Sequence, residues 1–275
     1  MPRIRTLHTF HFGNYPHRPQ GALWMERVGC RLADRLVAVG QAQREQIVAA
    51  HKVSPDAIGV VRNGVRLPAS GGGDPEFRAR IGAQGKILFG TIATLIPQKG
   101  LPDLLRVARQ VRDRRADVHF VIIGEGVMRP ELERLRAELG LEDTVTLLGW
   151  LTNAASLALP AFDAYLQPSL WEAMSISILE AMAATKPVVT TRVGEAPHLI
   201  EHGVDGYLFE ARDVTGMASA VLALAGDPDL RLSIGAAAAR TVAGHYTVAH
   251  MARGYEQAYL DLHSRQPQVR TDADR

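Results

Sequence analysis

Two rhythms of hydrophobic and polar residues alternate along this chain. Short runs dominated by apolar residues, such as RLVAVG, KILFGTIAT, VHFVIIG, TVTLLGW and KPVVTT, are separated by segments such as LPDLLRVARQVRDRR and RPELERLRAELG. In these segments apolar positions recur every three or four residues. The first rhythm predicts strands buried on both faces, and the second predicts amphipathic helices. Their alternation predicts an α/β fold with a doubly wound parallel sheet covered by helices.

The same alternation divides the chain. IRTLHTF reads as a strand, ALWMERVGCRLA as a helix, RLVAVG as a strand and QAQREQIVAAH as a helix, which makes a βαβα fragment. An apolar run at 58–61 and the turn RNG follow, and then LPASGGGD, the one glycine cluster in the sequence. The expected organisation is an amino-terminal fragment at 1–66, a linker at 67–84 and a Rossmann-like domain at 85–245. A carboxy-terminal helix and the polar, disordered tail QPQVRTDADR fill 246–275. Ligands of such sheets sit at the carboxyl ends of the strands, so the loops after ILFG, VIIG, AYLQPS and VVTT are the ones to inspect.

Composition narrows the function classes. With 31 Lys and Arg against 29 Asp and Glu, the net charge is +2, which leaves no broad electrostatic footprint for nucleic acid. Cys30 is the single cysteine, so no intramolecular disulfide forms, and its reading is a small buried hydrophobe. The start MPRIRTLHTFHF lacks the apolar core of a signal peptide, and no apolar run reaches the roughly 18 residues of a membrane span. These features predict a cytoplasmic protein, whether free or peripheral at the inner membrane face.

Candidate chemistry concentrates in PSLWEAMSISILEAMAATKPVV. Glu172 precedes a predicted helix and Glu180 lies within it. With a helix start near Ser175, the backbone amides of Met174, Ser175, Ile176 and Ser177 form a seat for phosphate, and Ser175 and Ser177 are placed to cap it. Glu180, one turn further in, can accept hydrogen bonds from a diol, while Glu172 faces whatever lies beyond the phosphates. Two glutamates at this spacing also arise by chance. The apolar neighbours Ile176, Ile178, Leu179, Ala181 and Met182 argue against a solvated face for Glu180. Other nucleotide motifs fail: GEGVMR has Arg129 where a dinucleotide turn needs its third glycine, and GAQGKI lacks the Ser or Thr that follows the lysine of a Walker loop. No His, Cys or carboxylate cluster has metal-ligand spacing. His17 and Arg18 read as loop residues.

The segment resembles the signature of a glutamate, seven residues and a second glutamate in retaining glycosyltransferases of the GT-B fold, group 1, family-4 type. Further stretches match in order. GTIATLIPQKG resembles the family's first loop, FVIIGEGVMRPEL its strand exit at Gly124, and TVTLLGW with FDAYLQPSLWEAM the run into the glutamates. RVGEAPHLIEHGVDGYLFEARD resembles the segment after them, and ADRLVAVGQAQREQIV with VVRNGV resembles the end of the amino-terminal half. The resemblance covers about 4–262 and implies a nucleoside-diphosphate sugar as donor, no cofactor and no metal. It implies that Lys99 contacts the donor diphosphate, Glu180 holds the ribose, and Glu172 binds the sugar near its anomeric carbon. Gly124 and the amides of Met174, Ser175, Ile176 and Ser177 would complete the donor site. His11, with His8 its near neighbour, would reach the sugar from the amino-terminal side. The implied reaction is sugar transfer to an acceptor hydroxyl with retention of configuration.

Three departures qualify that implication. Thr94 stands where the family has an arginine that shares the diphosphate, a loss worth about 3 kcal/mol of transition-state stabilisation by analogy with oxyanion donors. His198 stands where the family has glutamate. The chain also begins near the end of the family's first half, so most of the acceptor-side domain, and the identity of the acceptor, are expected to be missing, with a second chain as one source. The alternative class is a non-catalytic nucleotide-sugar-binding subunit; a sugar-nucleotide epimerase is the lesser one. Turnover of a sugar nucleotide separates them.

Overall fold

The computed structural model describes residues 4–11, 20–68 and 73–264. His17, Arg18, part of the glycine cluster and the polar tail from 265 lie outside the described residues. Nine strands form two wholly parallel sheets among them.

The first sheet orders β1 (Leu7–Phe10), β2 (Arg35–Ala38) and β3 (Ile58–Val60), linked by α1 (Gln20–Leu32) and α2 (Gln41–His51). The second has the order β6-β5-β4-β7-β8-β9. Its strands are β4 (Ile87–Ile92), β5 (Val118–Ile123), β6 (Val145–Gly149), β7 (Ala164–Gln167), β8 (Val188–Thr191) and β9 (Tyr207–Phe209). Before it comes α3 (Phe77–Arg80), and between its strands lie α4 (Leu101–Arg112), α5 (Arg129–Glu138), α6 (Ala154–Ala158), α7 (Ile176–Ala183) and α8 (Ala196–Leu199). The chain closes with α9 (Val214–Gly226), α10 (Pro228–His245) and α11 (Val248–Ser264). Because β4 has β5 on one side and β7 on the other, the winding reverses at the carboxyl ends of β4 and β7. Such a reversal opens a crevice for ligands.

Burial on both faces explains the parallel sheet. All six residues of β5 are buried. Val121 and Ile123 point into one core with Leu179, Met182, Ala238 and Val242, while Phe120 and Ile122 point into the other with Leu104, Leu105, Leu132 and Val221. Phe77 of α3, within the stretch read from sequence as a linker, is fully buried in the first of these cores, which ties that stretch to the second sheet.

The last helix returns to the first sheet. Val65 pairs with Thr247, and α11 then lays Met251, Tyr255 and Ala258 against Leu7, Val37 and Val61. A side-chain carbon at Gly64 would stand 2.2 Å from the Thr247 carbonyl oxygen, so only glycine permits this crossing. The Arg5 guanidinium adds hydrogen bonds to the carbonyls of Leu262 and His263. Among the described residues no helix is long and apolar enough to cross a membrane.

Substitution of a residue in the second of the two cores flanking β5 should expose this architecture's dependence on it. Phe120→Ala is expected to destabilise the chain by about 3–5 kcal/mol in chemical denaturation, while Leu260→Ala, at an exposed site on α11, changes stability by less than about 0.5 kcal/mol.

Candidate active site

A cleft of about 770 Å³ opens at the reversal point, between the carboxyl ends of β4, β5 and β7 and the amino end of α7. His11, Thr94, Lys99, Gly124, Glu172, Met174, Ser175, Ile176, Ser177 and Glu180 all line it, so the structure brings every candidate site residue together. His11 enters from the exit of β1. His8 is not among the lining residues and instead packs T-shaped with Phe10.

Backbone geometry shapes the floor. Gly124 has φ +141°, and a side-chain carbon there would approach the Ala93 carbonyl to 2.0 Å, so the strand exit and the first loop meet only through glycine. Gly100, at φ +60°, closes the loop carrying Lys99, and a side-chain carbon would stand 2.0 Å from the Pro168 carbonyl. The Leu170 amide donates to the Gln98 carbonyl at 2.7 Å. These contacts stitch the 97–100 turn to the 168–172 loop and bring Lys99 to Glu172.

Glu172 is the hub of the polar network. Its Oε1 accepts from Lys99 Nζ at 2.6 Å, Ser169 Oγ at 2.9 Å and Gln167 Nε2 at 3.2 Å, and its Oε2 accepts from Gln98 Nε2 at 3.1 Å. The side chain is only 9% exposed, and a carboxylate so removed from water requires this many donors. Behind it, fully buried Gln167 also bonds Ser169, Ser175 and Ser177, and it accepts from the Tyr165 hydroxyl at 3.2 Å. Burial holds the Tyr165 phenol above its ordinary value and so keeps it a neutral donor.

Ser175 and Ser177 correct one expectation. Ser175 occupies the N-cap of α7, yet its hydroxyl makes no capping bond there. Both hydroxyls turn inward to Gln167, because a buried amide at the end of β7 requires partners more than the exposed helix end does. The first intrahelical bond of α7 runs from the Leu179 amide to the Ser175 carbonyl, so the amides of Ile176, Ser177 and Ile178 have no carbonyl one turn back. Ile176 is half exposed at the cleft wall. The amino end of α7 therefore presents donors and a positive partial charge to the cleft.

Positive charge in the cleft is sparse beside the three carboxylates of Glu125, Glu172 and Glu180. Lys99 is the one Lys or Arg among the described lining residues, and Thr94 adds a hydroxyl where a second cation would double the charge. Glu180 sits one turn into α7, and no hydrogen bond reaches its carboxylate among the described residues. Desolvation by burial raises its pKa. Among the described residues no three His, Cys, Asp or Glu side chains gather as a metal site. Sequence reasoning missed Gln98, Gln167 and Ser169. A polar residue ending the apolar run AYLQ was the available signal for Gln167.

Gln167→Leu tests the network. It strands Ser175, Ser177 and part of Glu172's donor set, so it is expected to lower stability by about 1–3 kcal/mol in denaturant titration. A change below half a kcal/mol would mean that the buried amide is dispensable.

Comparisons with known proteins converge on one family. The family model for Glycosyl transferases group 1 matches residues 86–227, just over half the chain, and that for Glycosyltransferase Family 4 matches 1–67. The UDP-Gal:alpha-D-GlcNAc-diphosphoundecaprenol alpha-1,3-galactosyltransferase of Escherichia coli is 26% identical over 238 residues, covering 83% of this chain and 61% of that protein. The D-inositol 3-phosphate glycosyltransferase of Streptomyces scabiei is 31% identical over 232 residues, covering 76% and 50% respectively. The chain thus spans about half to three-fifths of the length of these relatives. The crystal structure of Anabaena Alr3699/HepE in complex with UDP and glucose has the same fold, with a TM-score of 0.85 at 22% identity over 94% of this chain and 72% of that one. With its Rossmann-like parallel sheet and a family match across the cleft, this chain belongs to the group 1 glycosyltransferases.

Proposed function

We propose that this chain binds a nucleoside-diphosphate sugar in the cleft and transfers the sugar, with retention, to an acceptor hydroxyl. The observation that carries the reading is the grouping of Lys99, Glu172 and the amino end of α7 around one space, with Glu180 one turn further along the helix. The diphosphate sits on the amides of Ile176 and Ser177 beside Lys99, which together offset its charge as the bond to the sugar breaks. Glu180 accepts from the ribose hydroxyls, and Glu172, held by its four donors, accepts from the sugar hydroxyls. His11 approaches the sugar from the opposite wall. In the transfer, the bond from the anomeric carbon to the phosphate oxygen breaks, the bond to the acceptor oxygen forms on the same face, and the acceptor proton passes to the departing phosphate. No metal enters this scheme, because the helix end and Lys99 carry the electrostatic work.

Thr94 favours a second reading. With one cation in place of two, the cleft suits binding better than turnover, as in a non-catalytic nucleotide-sugar-binding subunit. Slow hydrolysis of a sugar nucleotide supports the enzyme, and binding without any turnover supports the subunit.

Calorimetric titration of the chain with UDP, GDP and ADP and their sugar conjugates tests the donor site. One nucleotide family is expected to bind, equally well with a chelator present, and Lys99→Ala and Glu180→Ala are each expected to weaken it by about 1.5–3 kcal/mol, the worth of a hydrogen bond to a charged group. Binding that survives both substitutions would place the nucleotide elsewhere.

The raised pKa of Glu180 sets a pH dependence. The hydroxyl-accepting form is the carboxylate, so affinity is full above the raised pKa and falls as pH drops through it, at a pH above the ordinary glutamate value of about 4.3. The difference in affinity between the wild-type chain and Glu180→Gln removes the nucleotide's own titration. That difference is expected to shrink as pH falls, and a pH-independent difference would exclude Glu180 as the acceptor.

A further inference from the structure

Glu195 lies four residues past the end of β8, outside the set of groups that the donor site uses, and it is 1% exposed. Its carboxylate reaches across to the first sheet. Oε2 accepts from the Gln41 amide at 2.7 Å and the Ala42 amide at 3.4 Å, and Oε1 accepts from Arg62 Nε at 2.7 Å. Gln41 and Ala42 open α2, whose N-cap residue, Gly40, has no side chain to cap it. Glu195 therefore caps a helix that belongs to the other sheet, and the helix end and Arg62 together offset the cost of burying its charge.

Gly40 fits that carboxylate. Its φ of −165° is extended backbone that any residue adopts, so conformation does not require glycine here. Space does: an added side-chain carbon would stand 2.4 Å from Glu195 Oε2 and 2.8 Å from its carboxyl carbon, with only Glu195 atoms among its nearest neighbours. A methyl at position 40 would evict the carboxylate without touching any other group in that set.

On its other side Glu195 is fastened to the donor loop. The Glu195 amide donates to the Ala173 carbonyl at 2.9 Å. Gly194, at φ +56°, packs so closely that a side-chain carbon would stand 2.5 Å from the carbonyl oxygens of both Glu172 and Ala173. The backbone under Glu172 and the amino end of α2 are thus joined through a single residue.

We propose that Glu195 is a positioning residue that latches α2 and Arg62 to the donor loop, and so holds the wall carrying His11 and the loop carrying Glu172 in one arrangement for the donor. The proposal rests on the donor-site reading above for its ligand, and on contacts between the two sheets for its geometry.

The test uses Glu195→Ala, Gly40→Ala and the double variant of the 275-residue chain, with amide hydrogen exchange and UDP titration as readouts. Each single variant is expected to speed exchange at Gln41 and to weaken UDP binding about tenfold, an ordinary coupling between sites. The double variant is expected to be little worse than Glu195→Ala, because the carboxylate that the methyl displaces is already gone and only the Glu195 Cβ, 3.2 Å from the added carbon, still has to give by a few tenths of an ångström. Glu195→Gln, which keeps an acceptor for the Gln41 amide but loses the ion pair, is expected to recover part of the loss. Additive losses in the double variant overturn the proposal, as does UDP affinity that stays unchanged while Gln41 exchange accelerates. Arg62→Ala, at an exposed side chain, serves if Glu195→Ala does not fold: weaker UDP binding supports the latch and unchanged affinity overturns it. If GDP or ADP binds in place of UDP, that nucleotide replaces it as the probe; if none of the three binds the wild-type chain, the donor-site reading falls, and exchange at Gln41 alone then decides the latch by the same additivity criterion.

Discussion

A carboxylate nearly sealed from water has to be surrounded by donors, and in this chain the requirements of Glu172 shape the whole cleft. Lys99, Gln98, Ser169 and Gln167 converge on its two oxygens. To deliver them, the turn before α4 must press against the loop after β7, which is why Gly100 meets the Pro168 carbonyl where no side chain fits. The ion pair with Lys99 also leaves that cation held in place in the cleft that the amino end of α7 lines. Breaking such a buried pair costs more than forming it gains, so a ligand is met by groups that are already fixed.

The parallel sheet makes this arrangement available. Its winding reverses between β4 and β7, and the carboxyl ends of both strands lead into the loops that carry Lys99 and Glu172. Strands buried on both faces fix these loop origins firmly, while α7 starts at the crevice and directs its unpaired amides into it. Return of α11 to the first sheet, together with the Glu195 contacts, brings His11 to the same space from a different part of the chain.

Much of this was legible before any coordinates. Runs such as VHFVII, apolar at all positions but His119, are suited to a place between two helical layers, and the alternation of strands and helices followed from that. Glu172, Glu180 and Lys99 stood out through the family resemblance, with the apolar neighbours of Glu180 and the scarcity of lysine, four in all, as supporting signals. Less legible were residues whose role depends on distant partners. Gln167 and Glu195 look like ordinary polar positions until β7 and β8 bring them against Ser175 and Gly40. The expected capping by Ser175 failed for the same reason: local preference favoured the helix end, and a buried amide outside the helix took the hydroxyl instead. Phe77 shows the reverse case, an aromatic residue in a glycine-flanked stretch whose burial only tertiary packing reveals.

The most direct measurement is nitrogen–proton NMR of the deuterated chain as UDP is added. If the diphosphate seats on α7, the amide resonances of Ile176 and Ser177 move and saturate together with the side-chain signal of Lys99, while amides at the carboxyl end of α10 stay still. Saturable shifts that bypass Ile176 and Ser177 would contradict a phosphate site at the amino end of α7.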